Sequence, residues 1–154
     1  MNIPVKFLSV KYNGSMHPRN FKFLESKEYC KNMDDGANCQ TFVYEILKQA
    51  TPWFVPDFRS DELWNDIKYT EKVEVLEPLN ILLFNKNEDS YGAHIGIYVG
   101  NNRVLHLCKE IGFPAIWDLK QFESNDKYII FIGSKRLTKR YLGNLNHQDG
   151  WEVL

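Results

Sequence analysis

The hydrophobic pattern of the chain changes from a helical period to a strand period partway along its length. Apolar residues within 39–49 recur at i, i+1, i+4 and i+5, which predicts an amphipathic helix with one buried face. Asn38 is a suitable N-cap for this helix. The helix is predicted to end at Thr51, because the residue before Pro52 avoids the helical region. Shorter helices are predicted at 21–31, from Ser60 and at 117–122.

Strand patterns separated by short turns make up most of the second half. They are predicted at 72–76, 80–85, 93–99, 103–108 and 127–133. The turn residues Gly-Asn-Asn at 100–102 are typical of a hairpin. A leading helix followed by strands with short connections predicts an α+β fold with an antiparallel sheet, rather than a doubly wound parallel sheet.

Length and composition narrow the class of protein. A chain of 154 residues predicts a single domain, 1–154, large enough to bury its own core. Hydrophobic residues are 44% and charged residues 25%, close to the average of globular proteins. With 19 basic and 20 acidic residues the formal net charge is −1, so neither nucleic acid nor an anionic membrane is expected as a partner.

Cysteine usage and the N-terminal residues bear on the compartment. Cys30, Cys39 and Cys108 are an odd number at irregular spacing, which is a poor disulfide framework and favours a reducing compartment. Residues 1–10 show no basic start, no sustained apolar stretch and no cleavage site, so no signal peptide is predicted. We therefore expect a cytoplasmic protein, with secretion or delivery by another route as the alternative.

Cys39 is the first candidate for chemistry, because it lies at the predicted start of the amphipathic helix. Unpaired N–H groups and the helix dipole favour an anion at that point, and so predict a thiol of lowered pKa. Such a thiol is the usual nucleophile of covalent catalysis. The ordinary alternative is that a free cysteine is a small buried residue.

His94 is the second candidate. Alternation over 93–99 places His94, Gly96 and Tyr98 on one strand face and three aliphatic residues on the other. The aliphatic face is expected to be the core, which leaves the His94 face to meet the helix start. Gly96 leaves space beside His94 for a ring or a substrate backbone. A histidine beside a cysteine supplies a general base, whereas a single strand histidine is ordinarily a hydrogen-bonded structural residue.

His106, on the next predicted strand, is the third candidate, because a histidine base works best when another polar group fixes its tautomer. A plain two-residue turn at 101–102 would put His94 and His106 on opposite faces. A three-residue loop at 100–102 would put Gly96 opposite His106 and both histidines on one face. The triad hypothesis therefore predicts an odd loop or a bulge in this hairpin.

Two segments together with His106 resemble the NlpC family of papain-like cysteine peptidases. The segments are Asn-Cys-Gln-Thr-Phe-Val at 38–43 and Ala-His-Ile-Gly-Ile-Tyr-Val-Gly-Asn at 93–101. That family typically has a cysteine at a helix start, then a His-Val-Gly-Ile-Tyr-type strand, then a polar residue some twelve positions after the histidine. Here His106 follows at that spacing, and the similarity covers about 28–137.

The resemblance implies a papain-like α+β domain in which the cysteine-bearing helix packs on an antiparallel sheet. It implies Cys39 as nucleophile, His94 as general base and His106 as the orienting residue. It implies a peptide or amide substrate, most often a bacterial cell-wall peptide cut next to D-γ-glutamyl and diaminopimelate, and neither a cofactor nor a metal. The substrate groove is expected to involve Tyr29, Asn38, Gln40 and Ala93.

Three alternatives to a cell-wall peptidase remain at this point. The same chemistry suits a deamidase, isopeptidase or acyltransferase that acts on another protein or a lipid inside the cell. A catalytically retired binding module would keep the fold with the cysteine and histidine too far apart or the groove filled. The residues Cys39, His94, His106 and Cys108 are also the types that bind zinc, although their spacing is not that of a zinc motif.

Overall fold

The computed structural model describes residues 3–20 and 31–143. The 12-residue helix α1 (Cys39–Ala50) begins where the sequence predicts, because the Asn38 side chain accepts a hydrogen bond from Thr41 N at 2.8 Å. It ends at Thr51. Two shorter helices, α2 (Ser60–Asn65) and α3 (Leu119–Glu123), and two 3₁₀ turns, Val5–Ser9 and Pro18–Asn20, complete the helical part. No helix within the described residues is both long enough and apolar enough to span a bilayer.

Within the described residues, six strands form one antiparallel sheet. They are β1 (Thr70–Val73), β2 (Ile81–Asn85), β3 (His94–Gly100), β4 (Arg103–Leu107), β5 (Pro114–Asp118) and β6 (Ile130–Leu137). Their spatial order is β1-β6-β2-β3-β4-β5, so the last strand returns to lie between the first two. The prediction of an α+β fold with an antiparallel sheet is confirmed.

Both faces of the sheet are buried. On one face the apolar stripe of α1, including Phe42 and Ile46, packs against Ile95 and Ile97 of β3, as predicted. The other face carries a second hydrophobic cluster: Leu82, Phe84, Tyr98, Val104, Cys108, Phe122 and Tyr128. The expectation that the His94 face would meet the start of α1 is wrong: α1 packs on the aliphatic face, whereas α3 and the segment around Tyr128 close over the face that carries His94.

Buried charges hold the side of α1 that faces away from the sheet. Lys31 Nζ lies 2.9 Å from Asp57 and 3.7 Å from Glu45, and Lys48 Nζ lies 3.0 Å from Glu45. Lys31 N also donates to Glu45 at 3.1 Å. Charges out of water persist only when they are paired, so this network fixes α1 against the segments on either side of it.

Several element bounds differ from the predictions. Strand β1 begins two residues earlier than predicted, and β6 begins and ends later. Strand β5 was not predicted, and α3 starts only after it. The helix predicted at 21–31 falls almost wholly outside the described residues. The alternation in 114–118 is short and begins with Pro114, which weakens a strand signal.

Candidate active site

Cys39 is the first residue of α1, and its surroundings are set by the residue before it. Asn38 N donates to Met16 O at 3.0 Å, while the Asn38 side chain caps Thr41 N. The Thr41 hydroxyl donates to the same Met16 carbonyl at 2.9 Å. The start of the helix is therefore bound to the N-terminal segment, and the thiol is held in a fixed position, half-buried.

The first turn of α1 leaves two N–H donors beside the thiol. A helix start has four N–H groups without an intrahelical partner. Of these, Asn38 N donates to Met16 O, and Thr41 N donates to the Asn38 side chain. The N–H groups of Cys39 and Gln40 remain, and both favour the thiolate form of Cys39.

The two histidines contact each other through their rings. His94 Nε2 and His106 Nδ1 are 2.9 Å apart, a hydrogen-bond distance. The predicted bulge makes this possible: Gly100 pairs with Arg103 across a two-residue turn, but the register then shifts by one residue, so that Tyr98 pairs with Val104. The prediction of a bulge in this hairpin is confirmed.

Gly96 provides the room for the pair. A Cβ atom at this position would lie 2.5 Å from Val104 Cγ1, 3.0 Å from Leu105 O and 3.2 Å from His106 Cβ. The contact with Val104 is shorter than a Cβ atom can make, and the other two are tight enough that their neighbours would have to shift by a few tenths of an ångström. A side chain here would therefore push β4, and His106 with it, away from β3.

Burial keeps both imidazoles uncharged. His94 is 8% exposed and His106 is not exposed at all. Burial, and then the neighbouring His106, lowers the pKa of His94 to about 3, while burial lowers the pKa of His106 to about 4. The nearby Glu110 acts in the opposite direction on both rings. His106 Nε2 is buried and has no hydrogen-bond partner among the described residues.

The thiol of Cys39 lies beside the peptide that joins His94 to Ile95, because the N–H of Ile95 also favours its thiolate form. Within the described residues no hydrogen bond joins the sulfur to either histidine. Burial raises the pKa of the thiol to about 11, against the effect of the three N–H groups. The expectation of a lowered pKa at the helix start is therefore wrong, since desolvation outweighs the helix terminus.

Residues that the sequence did not indicate enclose the histidine pair. Tyr128 stacks on the His94 ring with centroids 4.4 Å apart and planes 24° apart. Trp117 and Phe122 contact the ring of His106 at 4.3 Å and 4.8 Å. Alternation in 114–118 could have indicated an inward Trp117, but no local signal marks Tyr128 or Phe122 as neighbours of the histidines.

A cavity of about 280 Å³ lies beside the start of α1. Gln40 lines it from the helix, and Gly92 lines it from the segment that leads into His94. Ser60 also lines it and accepts a hydrogen bond from Ala93 N at 3.1 Å. It is lined in full by His17, Pro18, Arg19, Gln40, Asp57, Phe58, Arg59, Ser60, Tyr91 and Gly92.

The four residues expected in the substrate groove have different surroundings. Gln40 lines the cavity, Ala93 is buried with its N–H bonded to Ser60, and the Asn38 side chain is engaged as the cap of α1. Tyr29 lies outside the described residues.

Tyr12 approaches the thiol, although no pattern in the sequence indicates it. Burial first, and then the charges of Cys39, Glu110 and Cys108, raise the pKa of Tyr12. Its backbone N–H donates to Gly112 O at 2.7 Å. The phenol of Tyr12 therefore stands within electrostatic reach of the candidate nucleophile.

Zinc ligation was one of the alternatives. Within residues 3–20 and 31–143, no three His, Cys, Asp or Glu side chains come together in an arrangement that could hold a metal ion. The zinc alternative therefore has no ligand set in this part of the chain.

Comparisons with known proteins bear on the fold alone. No protein-family model matches the sequence, and no curated protein matches it. Among solved structures, the chain is similar to NlpC1 from Trichomonas vaginalis, with a TM-score of 0.55 and 17% sequence identity. The similarity covers 86% of this chain and 40% of NlpC1, so the chain spans well under half the length of that protein. The chain therefore has an NlpC-like, papain-type α+β fold.

Proposed function

We propose that the protein is a cysteine hydrolase that cleaves an amide bond with Cys39, His94 and His106, and that its substrate is a peptidoglycan-type peptide containing a D-γ-glutamyl-diamino acid bond. One observation carries the proposal. The Cys39 thiol, at a helix start, lies beside the backbone N–H of Ile95, the residue after His94, and the ring of His94 is hydrogen-bonded to His106. A nucleophile, a base and a group that orients the base are the three parts that this chemistry needs.

The tautomers of the histidine pair set the direction of proton transfer. When His94 Nε2–H donates to His106 Nδ1, the Nδ1 atom of His94 is unprotonated and can accept a proton. The neutral Cys39 thiol then loses its proton to His94 as its sulfur attacks the substrate carbonyl carbon. The proton passes from His94 to the leaving amine, the C–N bond breaks and a thioester remains. Water, deprotonated by His94, attacks the thioester and releases the acid and the thiol.

The N–H groups of Cys39 and Gln40 would stabilise the negative oxygen that develops on the carbonyl. They are the donors in the first turn of α1 that Asn38 does not engage. Preorganised N–H donors stabilise a developing negative charge strongly in a site shielded from water.

The cavity beside Gln40 fits a substrate that carries a carboxylate next to the scissile bond. Arg19 and Arg59 both line it. Arg19 pairs with Glu62 at 2.5 Å, whereas no ion pair within the described residues engages Arg59. The carboxylate of Asp57, which also lines the cavity, is paired with Lys31 and Lys48. A γ-linked glutamyl residue keeps its α-carboxylate free, and a guanidinium is well suited to bind it.

The test combines turnover with trapping of the acyl-enzyme. The purified protein is incubated with γ-D-glutamyl-diaminopimelate peptides and with α-linked glutamyl peptides of equal charge. Products are measured by chromatography, and the intact protein by mass spectrometry. We expect cleavage of the γ-linked bond, and an acyl adduct that is absent in Cys39→Ala and present in Cys108→Ala. His94→Asn should abolish turnover, because no base remains for the thiol proton.

Other outcomes separate the alternatives. If the protein cleaves only α-linked peptides or amides in proteins, the assignment as a cysteine hydrolase stands and the assignment of a cell-wall substrate is rejected. An adduct that passes to an added amine in preference to water would indicate an acyltransferase. Failure of Cys39 to form an adduct with any substrate or with a vinyl sulfone would reject the enzyme and favour a binding module.

A further inference from the structure

Tyr128 covers one face of the His94 ring. Its own ring is almost parallel to the imidazole, at 4.4 Å between centroids, and it is buried beside Trp117 and Phe122. His94 is thus held by stacking on its face and by His106 at Nε2. With both restraints in place, the ring has one orientation, and the atom that remains for the thiol is Nδ1.

Glu110 holds Tyr128 in turn. The Tyr128 hydroxyl donates to Glu110 Oε2 at 3.1 Å, and Lys127 binds the other carboxylate oxygen. Glu110 follows β4 in a turn closed by a hydrogen bond from Gly112 N to Cys108 O at 2.9 Å. The anchor of Tyr128 therefore lies in the turn that directly follows the strand carrying His106, so the two restraints on His94 share one support.

Glu110 also contributes charge. The hydrogen bond from Lys127 lowers the pKa of Glu110 to about 2, so the carboxylate is ionised wherever an enzyme assay is run. Its charge favours the protonated forms of His94 and His106. His94 must become an imidazolium when it takes the thiol proton, and a buried imidazolium needs an anion near it.

From these contacts we infer that Tyr128 and Glu110 are positioning residues of the site: Tyr128 fixes the plane of His94, and Glu110 fixes Tyr128 and stabilises the imidazolium that forms during catalysis. This inference rests on the proposed function for its catalytic consequence. The fixed ring and its tautomer do not depend on turnover and can be measured without it.

Three variants separate the parts of the inference. Tyr128→Leu removes the stacking ring, Tyr128→Phe keeps the ring and removes its bond to Glu110, and Glu110→Gln keeps an acceptor for the hydroxyl and removes the charge. Tyr98→Leu is the matched control. Tyr98 is a buried tyrosine of the same cluster, and its hydroxyl accepts from Asn102 N at the hairpin turn.

The first measurement is NMR of protein with ¹⁵N-labelled histidine, which reports the tautomer and pKa of each ring. In the wild type we expect one tautomer of His94, protonated at Nε2. Tyr128→Leu should give a mixture of tautomers, Tyr128→Phe should keep the single tautomer, and Glu110→Gln should move the titration of both histidines to lower pH. A single tautomer in Tyr128→Leu with unmoved titrations in Glu110→Gln would overturn the inference.

The second measurement is the pH profile of kcat/KM. Tyr128→Leu should lose about 100-fold, the scale expected from a misplaced catalytic group. Glu110→Gln should lower the plateau and shift the acid limb to lower pH, whereas Tyr98→Leu should lower stability and leave the profile unshifted. If the wild type turns over nothing while the NMR results hold, the proposed function fails and the positioning role stands. If it turns over substrate and the profiles of the variants match that of Tyr98→Leu, the positioning role fails.

Discussion

Replacing Gly96 with alanine tests the architecture of the site most directly. The added Cβ would lie 2.5 Å from Val104 Cγ1, about 1 Å inside the normal separation of carbon atoms. Relief requires β4 to move away from β3, since the sheet is packed on both faces. Overpacking of this kind costs about 1–3 kcal/mol of unfolding free energy, and about 2 kcal/mol lowers the Tm of a chain this size by about 4–8 °C.

The same movement acts on the histidine pair. His106 lies opposite Gly96, and the Cβ would also press on it at 3.2 Å. Lengthening the 2.9 Å bond between His94 and His106 by about 1 Å would break it. We therefore expect kcat/KM to fall by about 100-fold, out of proportion to the loss of stability.

A double-mutant cycle with Val104→Ala identifies the cause. The truncation removes the atom that the new Cβ meets first. Unfolding by urea should then show Gly96→Ala to be less costly in the Val104→Ala background, by about 1 kcal/mol of coupling. Additivity within about 0.5 kcal/mol, or a Gly96→Ala protein with unchanged Tm and histidine spectra, would refute the argument.

Three further predictions concern stability. His94 and His106 are uncharged when folded, with pKa values lowered to about 3 and about 4, and titrate near 6.5 when unfolded. The unfolding free energy should therefore be highest above about pH 6.5 and fall toward pH 4 by about 1.4 kcal/mol per pH unit for each ring, measured by urea titration; the double asparagine variant should have a flatter slope. Asn38→Ala should cost about 1 kcal/mol by the same measurement, while Asn38→Asp should keep the cap of α1. Asp57→Asn should lower the unfolding free energy by about 2 kcal/mol, because it removes a carboxylate that pairs with the buried Lys31 and Lys48. The control is Glu71→Gln, which removes one partner of an exposed ion pair and should leave the Tm unchanged.

The parts of the fold that the sequence predicts well are those whose signals are local. The start of α1 depends on Asn38 and on four apolar positions within a few residues of it, and both the cap and the buried face are confirmed. The hairpin bulge was predictable for another reason. His94 and His106 can share a face only if the register of the hairpin shifts. The requirement that the two histidines meet therefore predicts a bulge in the strand pairing.

The features that could not be predicted from the sequence depend on contacts between residues far apart in the chain. Tyr128 and Glu110 come from separate turns and meet only because β6 and β4 belong to one sheet. The pKa of the Cys39 thiol was expected to be lowered and is raised instead, because burial outweighs the effect of the helix terminus. Strand β5 was not predicted because it is a short edge strand with a proline at its start, and both features weaken the sequence signal of a strand.

The face of the sheet that carries His94 is covered by α3 and by the turn that bears Tyr128. The access of water to the histidine pair therefore depends on these two segments. These segments are short and lie at the outside of the second cluster, so they are the parts of this layer expected to open first. Each opening would admit water to His106 Nε2, which has no hydrogen-bond partner among the described residues, and would allow both histidines to be protonated. Amide exchange in α3 would then report how often water reaches the histidine pair, although neither histidine belongs to that helix.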